Sequence, residues 1–563
     1  MKYNMKYTKV LGLAVAATLA FGACSDDWDE HYDVQQIGNG GTLWEAIAGD
    51  ENLSNFAMVL DSCGYVNSLD GAQVFTVFAP TNNGLSEQEA LDWIAAYKKD
   101  KAAGVKDEVN KTLKEFIKNH ITLYNHSVSS VSNDTLDMLN GKRLPFSASE
   151  FGGQAFTSYN QRYSNGILFK LEGTTKFFHN IFEYLAADPD LDSVAKFLYR
   201  YNNYRFNPDM SVEGGIENGL TWYLDSVEVL ENNMLTKKLK GLINSEDSIY
   251  RMVVPTNSEW ARLVAEYEPY FNYPDNVEKR DSLIYTNARL AILEGTIFSQ
   301  SVNPSWQDSA ISTNAVTYYQ RKFKYGSSDA DYYLYRNPYA DGGAFGGAEE
   351  IDCSNGKLLK ANQWNIDKTQ TFCQTILVEA EDDDNIAEYD EKGAMPLTTA
   401  SWNPESSFYD KVSNHEALCL VQKTDNATPF VDIKLSNVLS GVGYDIQMVL
   451  APGVLHPSSS DTIPLPNKYS AYLVYPNQDG TPSLDRWGYG FELCWCETNE
   501  RPYQMDTVTL VENFKFPTCA WGLDESAEVK LNIVNEYIRS ESEGKAAKHL
   551  LIDCIILKPH EEE

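Results

Sequence analysis

Val74 to Asn82 reads VFTVFAPTN. Val74, Phe75, Val77 and Phe78 are β-branched or aromatic and make a short, almost wholly apolar strand. Pro80 must end it, because proline has no N–H to give to a ladder. Thr81, Asn82 and Asn83 follow as turn and cap formers, and Ser86 with Glu89 has the capping-box spacing that starts a helix. The stretch predicts a buried strand that turns sharply into a capped helix.

Upstream, Thr42 to Ile47 reads as a capped helix, and Leu53, Phe56, Val59 and Leu60 continue at helical spacing. Downstream, Leu91, Ile94 and Ala95 line one helix face, and Val109, Leu113, Phe116, Ile117 and His120 line another. Asn140-Gly141-Lys142 is a hairpin turn. Ser164 to Lys170 forms a strand opened by Asn-Gly, and Phe178 to Leu185 closes the unit. Tyr250 to Asn257 (YRMVVPTN) then repeats the strand, proline and Thr-Asn order, with Ser258-Glu259-Trp260 opening a helix. Ser354 to Lys360 repeats the Asn-Gly strand. Internal repetition of this kind implies two homologous units in tandem.

These stretches resemble fasciclin (FAS1) domains, whose first motif reads close to T-V-F-A-P-T-N. Ile117-Lys118-Asn119-His120 falls where the family carries its second motif, usually Tyr-His; Asn119 replaces the tyrosine and His120 remains. The resemblance implies an α+β fasciclin-like domain over 41–187 and a degenerate second copy over 190–368. In that copy Asn287 to Ile297 lacks a histidine, which suits a spacer. It further implies a role in adhesion or protein docking, with Thr81, Asn82, Asn119 and His120 as the motif candidates. Read from its own neighbours, His120 is a core histidine with a satisfied hydrogen bond.

From Thr371 the character changes. Eight short alternating or apolar runs, Thr375–Val378, Ala417–Val421, Phe430–Leu435, Tyr444–Leu450, Ser470–Tyr475, Gly490–Cys496, Thr507–Val511 and Leu550–Leu557, are separated by Pro, Gly, Asn and Asp. They predict an all-β sandwich or jelly roll over 371–560. Its two ends, Ile376 to Glu381 and Leu551 to Leu557, resemble the edges of carbohydrate-binding β-sandwich modules. In those modules a Glu-Ala-Glu pair and a late Asp help hold a structural calcium, which makes Glu379, Glu381 and Asp553 the metal candidates. Solvated edge carboxylates are the alternative. Aromatic rings can stack on pyranose faces. Trp487, Tyr489 and Trp521 are the ligand candidates; Trp487 and Tyr489 sit in a loop setting, whereas Trp495, flanked by Cys494 and Cys496, reads as core.

The chain has 563 residues, room for several domains with their own cores, and 43% hydrophobic residues. A net charge of −34 argues against nucleic acid, since phosphate binding needs clustered Lys and Arg. Lys2 and Lys6 precede, and Lys9 falls at the start of, the largely apolar Thr8–Ala23, the pattern of a secretory signal at 1–23. Phe21-Gly22-Ala23-Cys24 resembles a bacterial lipobox, which implies lipidation at Cys24, although an ordinary signal peptide with an incidental cysteine is the alternative. Residues 24–40 read as a polar, glycine-rich tether. Its acidic start resembles the export signal of bacteria that display lipoproteins on the outer face of the outer membrane. Asp followed by Ser or Thr and a small or aliphatic residue recurs eight times, from Asp134 to Asp506. These triplets resemble an O-glycosylation sequon of the same bacteria; as caps and turn starters they need no modification.

Six of the nine cysteines lie beyond Thr371. An exported chain permits disulfides, and buried thiols are equally consistent with the spacing. No nucleophile elbow, phosphate loop or H-E-x-x-H occurs. The expectation is a non-enzymatic, lipid-anchored surface protein for adhesion or docking. By analogy its setting is a nutrient-uptake complex beside a TonB-dependent transporter and its surface lipoprotein. The alternative is glycan capture by the sandwich, with the fasciclin pair as a stalk.

Overall fold

The computed structural model describes residues 40–128, 133–217, 219–225, 228–315, 332–452, 465–523 and 529–560. Cys24, the signal, nearly all of the tether, Ser226 and the Asp461 triplet lie outside them. The chain falls into two compact units, Met1–Phe177 with Tyr204–Val229, and Phe178–Asn203 with Leu230–Glu563.

In the first unit, helices α1 (Leu43–Ala48), α2 (Ser54–Ser62) and α3 (Val66–Asp70) lead into β1 (Phe75–Pro80). Every β1 residue is buried, as a strand covered on both faces requires. Ser86 and Glu89 form the reciprocal cap of α4 (Glu87–Ala102). A π-helical turn, Thr112–Ile117, precedes β2 (Ile121–Leu123). The remaining strands of its main sheet are β3 (Asp134–Asp137), β4 (Arg143–Phe146), β5 (Glu150–Phe151), β6 (Gln154–Tyr163) and β7 (Gly166–Leu171). The sheet order is β2-β1-β7-β6-β5-β4-β3, with β1 parallel to β7. One face carries the helices, whereas on the other Phe78, Phe146, Phe151 and Phe169 pack together.

The Asn-Gly pair that opens β7 has a physical cause. Asn165 Oδ1 accepts from the Leu43 N–H at 2.8 Å, and its Nδ2 donates to the carbonyls of Leu69 and Gly71. Gly166 has φ +155°, and a Cβ there would lie 2.0 Å from the Phe75 carbonyl oxygen. Only glycine fits against β1.

The second unit repeats this plan. Helices α5 (Ile181–Ala187) and α6 (Asp192–Tyr199) lead to β8 (Tyr250–Pro255), α7 (Asn257–Tyr267), α8 (Arg280–Leu293), β9 (Ile297–Ser299), β10 (Glu349–Cys353) and β11 (Gly356–Ala361). The order β9-β8-β11-β10, with β8 parallel to β11, matches β2-β1-β7-β6. Asn355 bonds Ile181, Ile243 and Ser245 as Asn165 bonds its own partners. Gly356 meets the Tyr250 carbonyl as Gly166 meets that of Phe75. Val253 N–H donates to the Thr296 carbonyl where Phe78 N–H donates to that of His120, so a buried threonine stands at the histidine's register. Helix α5 differs from the sequence reading, which ended the first domain at 187. Its Ile181, Phe182 and Leu185 are buried in the core of the second unit.

The C-terminal part of the second unit is all antiparallel β. Its strands are β12 (Ile376–Glu379), β13 (Ile386–Tyr389), β14 (Thr398–Ser401), β15 (Glu416–Val421), β16 (Phe430–Lys434), β17 (Gly443–Leu450), β18 (Lys468–Val474), β19 (Phe491–Thr498), β20 (Asp506–Lys515), β21 (Lys530–Asn535) and β22 (His549–Pro559). One sheet runs β14-β15-β22-β17-β20, with β12 also on β22, and the other β13-β16-β21-β18-β19. The inward side chains of both sheets share one core with residues of the preceding α/β part, Phe271, Tyr273 and Phe372 among them. All eight expected strands occur, and β13, β14 and β21 are additional. All eight described cysteines are free thiols. Among the described residues no helix is long and apolar enough to cross a membrane.

Candidate functional site

Through β16 and the first part of β21 the five-stranded sheet alternates buried and outward residues. Val431, Ile433, Leu531, Ile533, Ala471 and Leu473 face the core and are buried, so their neighbours must face outward. Register then sets a row across the outer face. Glu388 on β13 lies opposite Asp432 on β16, Asp432 opposite Asn532 on β21, and Asn532 opposite Tyr472 on β18. Asn532 Nδ2 donates to Asp432 Oδ1. This row forms the floor of a cleft of about 850 Å³, within the range of small-ligand sites.

One wall comes from β19. The ladder runs from Ala471↔Cys494 to Tyr469↔Glu497, two residues against three, which is a β-bulge. Cys496 sits in it with φ +59°, and its N–H donates to Ser470 Oγ. Ser470 in turn donates to Glu536 Oε1 at 2.7 Å. The bulge aims Trp495 outward, 66% exposed and lining the cleft. Reading Trp495 as core is thus corrected: its two cysteine neighbours suggested burial, and no sequence signal marked the bulge.

The 476–490 loop, which joins β18 to β19, supplies another wall. Asp485 Oδ1 accepts from the N–H groups of Trp487 and Tyr489, at 2.8 and 2.9 Å, and presents both rings. Tyr489 lines the cleft and lies 5.3 Å from the Tyr472 ring. Trp487 is 71% exposed beside the cleft rather than lining it, with the Arg486 guanidinium over its ring. Trp521 is elsewhere: it packs edge-on against Phe271 at 6.0 Å, and its carbonyl accepts from Tyr273 Oη. It is half-buried against the core and is not among the cleft-lining residues.

Glu379, Glu381 and Asp553 do gather, around Ser413 and Asn414. Ser413 N–H donates to Asp553 Oδ1 at 3.0 Å, Ser413 Oγ to Glu379 Oε1 at 2.5 Å, and Asn414 Nδ2 to Glu381 Oε1 at 3.3 Å. Burial first, then the neighbouring Glu379 charge, push Glu381 up to about 7. Glu381 Oε2 is buried without a hydrogen-bond partner, which by itself suits a cation. Yet among the described residues no group of three or more His, Cys, Asp or Glu is disposed to hold an ion. As the structure stands, the three carboxylates form a hydrogen-bonded acidic cluster around Ser413 and Asn414.

Three of the four fasciclin-type motif residues are buried, and Asn82 is half-buried. Asn82 braces the turn after β1 against α2: its Nδ2 donates to the Glu51 carbonyl and Ser54 Oγ, and its Oδ1 accepts from the Asn55 N–H. Thr81 is nearly buried, and Asn119 and His120 are wholly so. Asn119 bonds Thr175 and Asn140. His120 Nδ1 donates to the Phe116 carbonyl at 2.7 Å, and Nε2 accepts from the Thr175 N–H at 3.1 Å. Burial holds its pKa down at about 4. These side chains hydrogen-bond within the domain.

Residues 51–172 match the model of the Fasciclin domain family. No curated protein matches the chain. Among solved structures, it is similar to a FAS1 domain pair from the insect cell adhesion molecule Fasciclin I, at 12% identity over 58% of this chain and 97% of that one, TM-score 0.16. It is also similar to the C-terminal CBM6 of LamC from Zobellia galactanivorans, at 12% identity over 33% and 99%, TM-score 0.18. A Paenibacillus xanthan lyase matches at 12% identity and TM-score 0.18, over 31% of this chain and only 12% of that chain's length. Likenesses at these identities and TM-scores assign no function. The family match and the fold together identify a chain that carries a fasciclin domain at residues 51–172, followed by further α/β and β-sandwich structure.

Proposed function

We propose that this protein is a non-catalytic glycan-binding protein whose C-terminal sandwich captures a neutral carbohydrate in the cleft of its five-stranded sheet. One observation carries the reading: Trp495 and Tyr489, both largely exposed, line one cleft together with a row of polar side chains. Exposed rings cost solvation that a stacked pyranose face recovers, while Asp432, Asn532 and Glu388 offer acceptors and a donor to hydroxyls. Charge selects the class. The lining holds the carboxylates Glu388, Asp432 and Glu536 against the single ammonium of Lys530, so uronate-rich or sulfated chains are repelled.

On this reading the second unit's α/β part is a second fasciclin-like domain, supported by its repeated Asn and Gly positions. The fasciclin domains then carry the sandwich outward and supply adhesive or docking contacts. Anchorage through lipidated Cys24 at the outer membrane, beside a TonB-dependent transporter, belongs to the same proposal. Screening the full chain on an array of neutral and acidic oligosaccharides tests it. Binding confined to neutral glycans supports it; binding only to acidic glycans, or none, overturns it.

A further inference from the structure

The wall that bears Tyr489 is tied to the α/β part of the same unit. Between the turn Glu268–Phe271 and α8, the segment Asn272 to Val277 reaches the sandwich at Gln478. Asn272 Nδ2 donates to Gln478 Oε1 at 2.8 Å, Gln478 Nε2 donates to Asp275 Oδ1 at 2.8 Å and to the Tyr273 carbonyl at 3.3 Å, and Asp275 N–H donates to the Gln478 carbonyl at 2.8 Å. The side-chain amide is thereby bonded at both ends. Gly480 lies directly on Asn276, since a Cβ there would come within 2.3 Å of that side chain.

The segment is itself braced. Arg280 donates from Nη2 to Asn272 Oδ1 and from Nε to the Tyr273 carbonyl, both at 2.8 Å. Asn272 also donates to the Pro517 carbonyl, and Asn272 N–H to Ser440 Oγ. Gln478 sits between cleft-lining residues of this loop, with Pro476 before it and Gly480, Pro482, Leu484 and Tyr489 after it.

We infer that Asn272, Asp275 and Arg280 are positioning residues of the glycan cleft: they fix the 476–490 wall through Gln478 and never touch the ligand. The inference rests on the glycan-binding reading. It gives the degenerate α/β part a task beyond spacing, since a wall held in place before binding spares the ligand the cost of ordering it.

The test uses the full chain and two readouts. Gln478→Glu replaces the donor facing Asp275 with a carboxylate, and Asp275→Asn in the same chain restores a donor between the two side chains. Hydrogen exchange of peptides covering 476–490 is measured for wild type, the single variant and the double. Retention in native gels containing neutral β-glucan, xylan or mannan is measured in parallel. Gln478→Glu is expected to speed exchange across the loop and weaken retention about tenfold, with the double variant recovering most of both. Unchanged exchange in Gln478→Glu overturns the latch whatever the gels show. Faster exchange with unchanged retention overturns its role in binding. If wild type itself is retained by none of the three polysaccharides, the glycan reading fails and takes the positioning role with it, while the exchange result still reports on the latch.

Discussion

His120→Gln should flatten the acid sensitivity of the first unit. In the fold the imidazole is wholly buried and neutral, with Nδ1–H on the Phe116 carbonyl and Nε2 accepting from Thr175. Burial lowers its pKa from 6.5 to about 4. The unfolded chain therefore takes up the proton first. The stability that this group contributes is complete above pH 6.5 and is lost as pH falls through 4. The drop corresponds to about 3 kcal/mol, of which about 2.5 kcal/mol is gone by pH 4.5. Carboxylates titrate in the same window, so the informative quantity is the difference between wild type and variant. Calorimetry of the full chain from pH 7.5 to 4.5 measures it, with the first unit's transition identified as the one that Gly166→Ala displaces. The variant starts lower at pH 7.5, because the Phe116 and Thr175 groups lose their partner, and then falls less steeply. Equal slopes for both chains would refute the neutral, buried assignment.

Other outcomes hang on single positions. Gly356→Ala puts a Cβ 1.8 Å from the Tyr250 carbonyl oxygen at φ +135°, so the second unit should lose at least about 2 kcal/mol in urea unfolding while the first unit's transition stays put. Ser413→Ala removes the hydroxyl donor to Glu379 and should cost about 2 kcal/mol, as for a hydrogen bond to a charged group. An unchanged unfolding midpoint, joined with sensitivity to a chelator, would mean that a cation rather than the Ser413 hydroxyl holds those carboxylates.

The order of elements was legible where chemistry leaves little choice. Pro80 and Pro255 end their strands, the Ser86–Glu89 pair caps its helix, and Asn165-Gly166 and Asn355-Gly356 mark the close approach of two parallel strands. The end of the first domain was not legible, because α5 is amphipathic and only the tertiary fold says which core it covers. The cleft was half legible. Asp485 with Trp487 and Tyr489 reads as an exposed turn, whereas Trp495 depends on one extra residue in β19 that no local pattern announces. β21, which carries Asn532 and Lys530, was passed over, although its Leu531, Ile533 alternation was there to find. The Gln478 latch joins residues about 200 apart in sequence, and long-range pairing of that kind leaves no periodic trace.

The central claim is that Trp495 stacks on a neutral sugar. It is tested most directly by calorimetric titration of the strongest oligosaccharide from the array into the full chain and into Trp495→Ala. Wild type should show measurable, saturable binding and the variant at least about a thirtyfold loss, with an unchanged unfolding midpoint because the ring is 66% exposed. Equal affinity in both chains would contradict the claim and place the glycan site, if the protein has one, away from this sheet.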